Sequence, residues 1–415
     1  MACCGKSPST CPIGPHAGWW HRVRKTSATR VSVSIAADQR WRFAAFYFSY
    51  YAALGAYTPY IGRWVDSEGF SGYVVGAMLA LWYGSRVLSP PLWAWAIARS
   101  NRPGYVLVAG CAISLLAFAG FTVTHTVFSL IAVMAIFGLF FNAVMPQFEA
   151  MTLTALGANA NEYGRIRLWG SIGFLLVAGS YGALMDRLGD ASFPWLGLPL
   201  LAATVWAASL HRRDPAPEHV PHAADAGHLW RRPGVRRFLI VALLMQMGFG
   251  PFYVFYTLNL QAHGHSGLAV GSLWAIGVLA EIALFWVAPQ LIARFGAPRL
   301  LSLSLAVTIT RWLLVALFAD SFALMMLAQT SHALGFAMFH ACNMRLMSEY
   351  FPGRRAASGQ SLLYGFSSGI GGVLGAVFAA LAWSRGGGAA AFILAALITL
   401  AAWLIYARRR PVAIV

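Results

Sequence analysis

The chain has 415 residues, of which 59% are hydrophobic and only 10% are charged. A soluble protein carries about a quarter charged residues, so this composition excludes an ordinary soluble domain and favours a helical membrane protein. The formal net charge of +17 does not indicate a nucleic-acid partner, because the basic residues lie in alternate loops and form no continuous face.

Residues 1–38 form a basic tail rich in Pro, Ser, Thr and Gly, which predicts disorder. Apolar segments follow, each close to the roughly 20 residues that cross a bilayer core as a helix. The first six cover residues 41–64, 72–98, 104–123, 127–154, 164–186 and 193–210. After a polar stretch, six more cover residues 238–262, 268–293, 298–318, 321–348, 356–382 and 388–407. The pattern predicts an all-α membrane protein with twelve transmembrane helices.

The distribution of basic residues predicts the orientation of these spans. Arginines and lysines precede span one, follow span two, precede span five and fill the stretch between spans six and seven. They continue after spans eight, ten and twelve, whereas the opposite loops contain only Arg63, Arg187 and Arg385. Because basic loops stay in the cytoplasm, we expect both termini and the central loop to be cytoplasmic, in a bacterial inner membrane.

The two sets of six spans resemble each other. One constant shift of 195 positions matches three glycines of the first half to glycines of the second: Gly55 to Gly250, Gly76 to Gly271 and Gly170 to Gly365. Two parallel six-helix halves are the plan of the major facilitator superfamily, with the substrate site between them at the membrane midplane. We therefore predict two pseudo-symmetric bundles, at residues 39–210 and 238–408, joined by a cytoplasmic linker at residues 211–237.

A single carboxylate interrupts the apolar run of span eight. Glu281 lies about 13 residues from the outer end of its span, and Arg311 lies about 13 residues from the inner end of span nine. At about 1.5 Å per residue both reach the midplane, where charged residues usually mark an ion or proton path. We predict that Glu281 and Arg311 form a pair that takes part in proton coupling. The alternative is a structural ion pair that locks two helices.

Span ten carries two histidines eight residues apart, His332 and His340, which therefore lie close to one helix face. A histidine titrates near neutral pH and can carry protons. We predict proton coupling for His332 and substrate contact for His340. Buried histidines that hydrogen-bond a neighbour are as common, so a structural role stays open for both.

The first half carries its own ionisable residues. The shift of 195 positions lays Arg86 on Glu281, so both halves have a buried charged residue at the same place. Glu149 near the end of span four and Arg167 near the start of span five are a plausible pair. We predict that all three first-half residues contact substrate, with an inner-gate latch as the alternative for Glu149 and Arg167.

Polar and aromatic residues in spans one and seven suit an aromatic-lined binding cavity. From these we predict substrate contacts for Tyr47, Tyr50, Gln246 and Tyr253. Tyrosine and tryptophan also form belts at membrane interfaces. We assign three residues of span one to such a belt: Tyr57, Tyr60 and Trp64.

Metal, nucleotide and cofactor sites find little support. Three cysteines cluster in the tail and three histidines in the central loop, but neither set has the spacing of metal ligands. The cysteines are Cys3, Cys4 and Cys11, and the histidines are His219, His222 and His228. Spans five and eleven are rich in glycine, which in a membrane helix favours close helix packing over nucleotide binding. We expect no metal and no cofactor.

Several motifs resemble a known family. Tyr163-Gly-Arg-Ile-Arg-Leu-Trp-Gly-Ser-Ile-Gly173 opens span five, and Leu273-Trp-Ala-Ile-Gly-Val-Leu-Ala-Glu281 lies in span eight. With Thr310-Arg-Trp312 and the series His332, His340, Met344-Arg345, they resemble the 3-phenylpropionate permease group. That group belongs to the lactose permease and nucleoside–proton symporter branch of the major facilitator superfamily. The similarity runs from about residue 40 to about residue 408.

The resemblance implies proton-coupled uptake, with five ionisable residues in binding and coupling: Glu149, Glu281, Arg167, Arg311 and His332. The chain departs from the superfamily after span two, where Ala-Arg99-Ser-Asn-Arg102-Pro lacks the usual aspartate. The second copy, Ile-Ala-Arg294-Phe-Gly-Ala-Pro-Arg299, also lacks an acid.

We predict a proton-driven symporter that takes up a small organic solute, such as an aromatic carboxylate, by alternating access. Its expected partners are that solute, protons and the lipid bilayer; we expect a monomer and no nucleic acid. One alternative is an exporter of drugs or metabolites that works by proton antiport. The other is a multi-pass membrane enzyme, although the chain has no nucleophile elbow, HExxH or paired-acid motif.

Overall fold

The structure, a computed structural model, describes residues 37–157, 162–214, 229–352 and 355–408. Within these ranges every regular element is a helix. Most of the predicted tail and residues 215–228 of the predicted linker lie outside the described residues, as do the cysteines and histidines considered for metal binding.

Twelve long helices can be traced in the described residues. The first six are α1 Ala37–Ser67, α2 Gly72–Ala98, α3 Pro103–Ala119, α4 Val127–Leu156, α5 Tyr163–Leu188 and α6 Phe193–Ser209. The next three are α7, made of Pro233–Gly248 and Gly250–Ala262, then α8 Gly267–Phe295 and α9 Ala297–Leu317. α10 consists of Phe322–Ala333, the π-helical turn Leu334–Met338 and Phe339–Tyr350.

The last two helices are α11 and α12. α11 begins with Ala356–Leu363 and contains the π-helical segment Tyr364–Gly371. It then shares the element Gly372–Ala407 with α12. Non-helical backbone at Gly386 and at Gly387, which has a φ of 61°, separates α11 from α12.

Local sequence explains where many of these helices begin. Thr126 and Ser129 form a capping box at the start of α4, while the side chains of Ser266 and Ser321 accept backbone N–H groups at the starts of α8 and α10. Proline occupies the first turn of four other helices, where its missing N–H costs no hydrogen bond: α3, α6, the first part of α7, and α9.

Nine stretches of the described residues are long and apolar enough to cross a membrane. The last stretch, Ser358–Ala407, covers both α11 and α12. α1 and α2 are not among the nine, although they have 31 and 27 residues. Both are rich in tyrosine, tryptophan and proline and carry arginine, which lowers their mean hydropathy.

Helices α1–α6 pack mainly against one another, and so do α7–α12. The two groups meet chiefly where α5 packs on α8, α2 on α11 and α1 on the second part of α7. We call the end of the molecule at which α1, α3 and α5 begin, beside the arginine-rich loops, the basic face. The opposite end is the far face.

Glycines bring the two groups together near the far face. A Cβ atom on Gly182 or Gly179 of α5 would meet the backbone or side chain of α8, and one on Gly267 or Gly271 of α8 would overlap backbone atoms of α5. At the other contact, Gly76 of α2 leaves room for the α11 backbone. Such glycines let membrane helices approach backbone to backbone.

The aromatic residues at the end of α1 belong to the interior of the first group. Tyr57, Tyr60 and Trp64 are at most 2% exposed. The hydroxyl of Tyr60 donates to the carbonyl of Ala178 on α5, and Trp64 stacks on Phe193 of α6. Their predicted place in an interfacial belt is therefore wrong, because each side chain faces a neighbouring helix.

A charged cluster joins the end of α6 to α1 on the basic face. Asp214 lies 2.7 Å from Nδ1 of His211 and accepts a hydrogen bond from Arg42 at 3.2 Å. Burial on its own would raise the pKa of Asp214, but the contacts with His211 and Arg42 outweigh it and hold the pKa below its usual value. The ionised carboxylate thus stabilises this junction.

Candidate functional site

A cavity of about 500 Å³ lies between the two helix groups. This size suits a small organic ligand. The first group contributes polar and charged lining residues from α2 and α5: Arg86, Arg167 and Ser171. The second group contributes more: Gln246, Tyr253, Glu281, Gln329, His332, His340, Asn343, Ser367 and Ser368.

The cavity is closed toward the far face and open toward the basic face. At its far-face end, Leu79 and Trp274 are 3% and 5% exposed. Toward the basic face, the lining residues Phe285 and Tyr364 are 41% and 47% exposed. The glycine contacts between α5 and α8 lie beyond the closed end.

Glu281 and His332 lie within hydrogen-bond distance of each other in the cavity wall. Oε1 of Glu281 on α8 lies 2.7 Å from Nε2 of His332 on α10. Both side chains are largely buried, with 18% and 6% exposure. A carboxylate can accept a hydrogen bond from a neutral imidazole or pair with a protonated one, so this pair has room for one further proton.

The predicted pair between Glu281 and Arg311 is wrong. Arg311 is 1% exposed and turns toward α10, where its Nε donates to the carbonyl of Ala328 at 3.1 Å and its Nη2 donates to Oε1 of Gln329 at 3.3 Å. Counting residues from the helix ends gave the depth of Arg311 but not the direction of its side chain around α9. His332, one turn beyond Ala328, takes the place next to Glu281.

Arg311 and His332 nevertheless share an aromatic neighbour. The guanidinium of Arg311 lies 4.3 Å from the ring centroid of Phe252, and the imidazole of His332 lies 5.1 Å from it. Cation–π contact stabilises the buried guanidinium. A second positive charge on the imidazole would stand close to the first, in surroundings of low polarity.

A π-helical turn gives α10 its register at the cavity. Leu334–Met338 lies between His332 and His340, and a π turn takes more residues than an α turn. Eight residues therefore complete close to two whole turns, which brings both histidines to the cavity. His340 packs edge-on against Phe285 of α8. Such π turns are frequent at functional sites.

Arg86 faces the same cavity from α2 without an acidic partner. Among the described residues no carboxylate lies within ion-pair distance of its guanidinium, which sits 5.5 Å from the ring centroids of both Trp82 and Tyr83. The cavity therefore holds a guanidinium whose hydrogen-bond donors are not used by a carboxylate. Arginine presents these donors in a planar fork that matches a carboxylate group.

Aromatic rings connect Arg86 to His332 across the two groups. Tyr83 on α2 lies 6.2 Å from Tyr253 on α7, measured between ring centroids. Tyr253 in turn lies 5.2 Å from Phe252, the ring that contacts His332. The wall between the two ionisable sites is therefore apolar and rigid, and it belongs half to each group.

The predicted pair of Glu149 and Arg167 is present but loose. Nε of Arg167 lies 3.9 Å from Oε1 of Glu149, which also accepts a hydrogen bond from the hydroxyl of Tyr163 at 3.3 Å. Arg167 stacks over Tyr51, with its guanidinium 3.9 Å from the ring centroid. Only Arg167 of the pair lines the cavity.

The structure brings seven predicted site residues to the cavity wall: Arg86, Arg167, Gln246, Tyr253, Glu281, His332 and His340. Four others lie behind it: Tyr47, Tyr50, Glu149 and Arg311. Tyr50 stacks on Phe141 and donates to its carbonyl, and the Tyr47 hydroxyl lies 3.5 Å from Thr152. Their roles in binding or coupling stay predictions.

Several lining residues were not singled out from the sequence: Tyr51, Trp82, Tyr83, Trp274, Gln329 and Asn343. Gln329 lies three residues before His332 and bonds Arg311, so its spacing in span ten was a usable signal. The aromatic residues gave none, since rings at helical spacing are as common in helix packing as in binding sites.

The MFS_1 like family matches residues 40–394 of this chain. A probable 3-phenylpropionic acid transporter of Escherichia coli (strain K12) is 27% identical over 320 residues, which cover 74% of this chain and 82% of that protein. A maltose permease of Geobacillus stearothermophilus is 28% identical over 287 residues, covering 68% of this chain and 72% of that protein. This chain is thus similar to two membrane permeases.

A solved structure has the same arrangement of helices. The crystal structure of the nucleoside transporter NupG superposes with a TM-score of 0.80 over 89% of this chain and 99% of that chain. Sequence identity in this comparison is 16%, so the likeness concerns the fold alone.

Proposed function

We infer the function from the premise that the chain belongs to the MFS_1 like family, which matches it over residues 40–394. The predicted major facilitator fold is confirmed. The protein is a membrane transporter of a small molecule and not an enzyme. We propose further that it is a secondary active symporter, which couples entry of protons to uptake of a small organic anion.

The observation that carries this proposal is the Glu281–His332 pair, 2.7 Å apart in the wall of the cavity. Among the described residues that line the cavity, Glu281 is the only carboxylate. Ionisable residues within a membrane are costly and commonly serve as proton relays. The pair is reached from the cavity, so it can take up a proton on one side and release it on the other when the cavity changes its access.

The charges near this pair favour binding of a proton and an anion together. With Glu281 ionised, His332 neutral and Arg311 charged, the cluster has no net charge. Protonation of the Glu281–His332 pair leaves a net positive charge in a site of low polarity, which is unfavourable. An anionic substrate beside Arg86 reduces this positive charge, so each ligand increases the affinity for the other, as thermodynamic linkage requires.

Arg86 is our proposed contact for the anionic group of the substrate. Its guanidinium lacks an acidic partner among the described residues, and its neighbours Trp82 and Tyr83 offer faces to an aromatic ring. A carboxylate attached to an aromatic or other planar body satisfies both features. The similarity to a probable 3-phenylpropionic acid transporter supports this substrate class, whereas the similarity to a maltose permease leaves uncharged solutes to be tested.

We further propose that the described state faces inward. The basic loops assign the basic face to the cytoplasm of a bacterial inner membrane, and the cavity opens on that side. Two rigid helix groups that rock about the cavity would expose it alternately to each side. At about 100 mV, one positive charge that enters the cell supplies roughly 2.3 kcal/mol from the potential alone.

Flux into liposomes tests the proposal. The purified protein is first screened for thermal stabilisation by aromatic carboxylates and by maltose, and the best ligand is then radiolabelled. An imposed pH gradient, alkaline inside, is expected to drive accumulation above the external concentration, and a protonophore should abolish it.

The same experiment separates the alternatives. Extrusion of the ligand against its gradient when the interior is acidic would favour a proton-antiport exporter. Downhill flux that ignores the pH gradient would reject proton coupling. The control is the matched liposome without protein, because weak acids also cross lipid bilayers in their neutral form.

A further inference from the structure

Within the described residues, charged side chains form bonds between the two helix groups at only one place on the far face. Arg63 near the end of α1 is 8% exposed. Its Nη1 donates to Oδ1 of Asp186 at 2.9 Å, and its Nε donates to Oδ1 of Asp190 at 2.7 Å. Both acids belong to the first group, one on α5 and one in the turn that follows it.

Asp186 also reaches across to the second group. Its other oxygen, Oδ2, accepts the backbone N–H of Gly267 at 2.7 Å, and Gly267 is the first residue of α8. The first N–H groups of a helix have no partner within the helix, and the N-terminus carries a partial positive charge. One carboxylate therefore holds the end of α8 and the guanidinium of Arg63 at once.

A second element of the other group contacts the same arginine. With the amide of Gln261 oriented so that its oxygen faces Arg63, that oxygen accepts hydrogen bonds from Nη1 and Nε at 3.0 Å each. Gln261 lies at the end of α7, two residues before the turn that leads to α8. Arg63 and Asp186 thus join α1 and α5 to α7 and α8.

The repeat shows that the fold does not demand these charges. The shift of 195 positions that matches Gly72 to Gly267 places Leu258 at the position of Arg63 and Leu381 at the position of Asp186. At the equivalent contact, between α2 and α11, the described residues form a neutral hydrogen bond between Tyr73 and Ser384, at 2.6 Å, and no ion pair. The same helix geometry is therefore built with and without an ionic network.

We propose that Arg63, Asp186, Asp190 and the N-terminus of α8 form a detachable latch that holds the far face closed. Opening toward the far face must separate α5 from α8, which breaks the bond from Gly267 to Asp186. It must also separate α1 from the end of α7, which breaks the bonds from Arg63 to Gln261. The bonds from Arg63 to Asp186 and Asp190 lie within the first group and can remain. Asp186 is therefore the carboxylate of the latch that bonds both groups. This inference rests on the alternating-access part of the proposed function.

Two single substitutions distinguish the bond between Asp186 and Gly267 from the other bonds of the network. Asp186→Ala removes the acceptor for α8 and one partner of Arg63. Asp190→Ala removes a partner of Arg63 that has the same chemistry but no contact with α8 in the described structure. Comparing the two variants isolates the contact with α8 from a general loss of charge at Arg63.

The measurement is the distance between spin labels on the far face, by pulsed electron resonance on the detergent-solubilised protein. Labels at Phe128→Cys, in the first turn of α4, and Asp320→Cys, before α10, lie on exposed residues of opposite groups, away from the latch. The five native cysteines are replaced beforehand. No substrate and no pH gradient is used, so a failure of proton coupling does not affect this test.

Asp186→Ala is expected to raise the population at longer distances at least several-fold, while Asp190→Ala stays close to the parent protein. An equal increase of the label distance in both variants would contradict the latch. It would show only that the network stabilises the contact between α1 and α5. No change in Asp186→Ala would also overturn it. Should that variant fail to fold, Asp186→Asn keeps one acceptor for Gly267 without the charge; it should show a smaller widening than Asp186→Leu, and equal distances in those two would reject the proposal.

Discussion

Arg86 and Glu281 lie 195 positions apart, at equivalent places in the two halves of the sequence, and both line the cavity. Their surroundings differ. Glu281 has an imidazole at 2.7 Å and the buried guanidinium of Arg311 behind it. Arg86 contacts the faces of Trp82 and Tyr83 and no carboxylate among the described residues.

We propose that the two equivalent positions have separate tasks. A site that contains its own counter-charge can gain and lose a proton without a ligand. A guanidinium beside aromatic rings and without an acid among the described residues suits a ligand that brings the negative charge. We therefore assign coupling to the second group and recognition of the anion to the first, and the first two predictions below test that division.

The largest effect is expected for Glu281→Gln, which mimics the protonated side chain and keeps its volume. Uphill accumulation of substrate in response to a pH gradient should disappear, because the pair no longer gains and loses a proton. Exchange of labelled for unlabelled substrate across the membrane should continue, since the loaded protein can still change its access. Both rates are measured in the same liposome preparation.

Glu149→Gln is the matched control for this substitution, because Glu149 has the same chemistry and lies near the cavity but outside its wall. It should retain accumulation. Loss of exchange in Glu281→Gln would mean that Glu281 contacts substrate directly. Accumulation retained in Glu281→Gln would move the coupling proton to another residue.

An intermediate effect is expected for Arg86→Ala. A hydrogen bond to a charged group contributes about 1.5–3 kcal/mol, so the half-saturating concentration of an anionic substrate should rise about 10- to 100-fold. Dependence on the pH gradient should remain, because the Glu281–His332 pair is unchanged. Initial rates of uptake over a range of substrate concentrations provide the measurement.

Arg167→Ala and Arg86→Lys sharpen the same test. Arg167 is already close to Glu149, at 3.9 Å, so its removal should weaken binding less than removal of Arg86. Lysine keeps the charge but not the planar fork of arginine. The half-saturating concentration of Arg86→Lys should therefore lie between those of the parent protein and Arg86→Ala. A larger effect at Arg167 than at Arg86 would reverse our assignment of the anion contact.

The smallest effect concerns the stability of the junction between α6 and α1. Asp214 has a lowered pKa in the folded protein, so its ionised form stabilises the fold above the unfolded pKa of about 3.9 and ceases to do so as the pH falls through the folded value. For a partly exposed cluster we expect roughly 0.2–1 kcal/mol. Asp214→Asn should therefore lower Tm slightly at pH 7 and pH 5, and the difference should shrink below about pH 3.9.

Thermal unfolding of the two proteins in detergent measures this difference. Asp320→Asn is the control, since Asp320 is exposed and the described residues give it no ion pair. In the second group a neutral hydrogen bond joins α12 to α9: the hydroxyl of Tyr406 donates to the carbonyl of Pro298 at 3.1 Å. A decrease of Tm in Asp214→Asn that does not depend on pH would show that packing, and not charge, stabilises the junction between α6 and α1.

The sequence was sufficient for the number of helices and for the depth of Glu281, because both depend on position along a helix axis. It was insufficient for the partner of Glu281, which depends on rotation about that axis. Arg311 turns toward Ala328 and Gln329, and His332 is the neighbour of Glu281. The direction of Arg311 leaves no clear mark in residue spacing.

Ambiguous residue types account for the other differences. Tyr57, Tyr60 and Trp64 match an interfacial belt by composition, yet all three are buried within the first group. Arg63 was counted only in the charge pattern of the loops, although it was one of only three arginines in the loops of the far face. That scarcity was the available signal for a specific role.

The π turn in α10 also determines how the chain tolerates changes in length. Deleting one residue from Leu334–Met338 would let the helix continue as a regular α-helix. The side chains after the deletion would keep their direction to within about 20°, because His340 would then follow His332 by seven α-helical residues, which also complete close to two turns. Replacing the π turn by an α-helical one without a deletion would instead turn His340 and Asn343 by about 100° out of the cavity wall, while His332 would keep its place beside Glu281. The π turn thus absorbs one residue of chain length and keeps both parts of α10 in register with the same cavity.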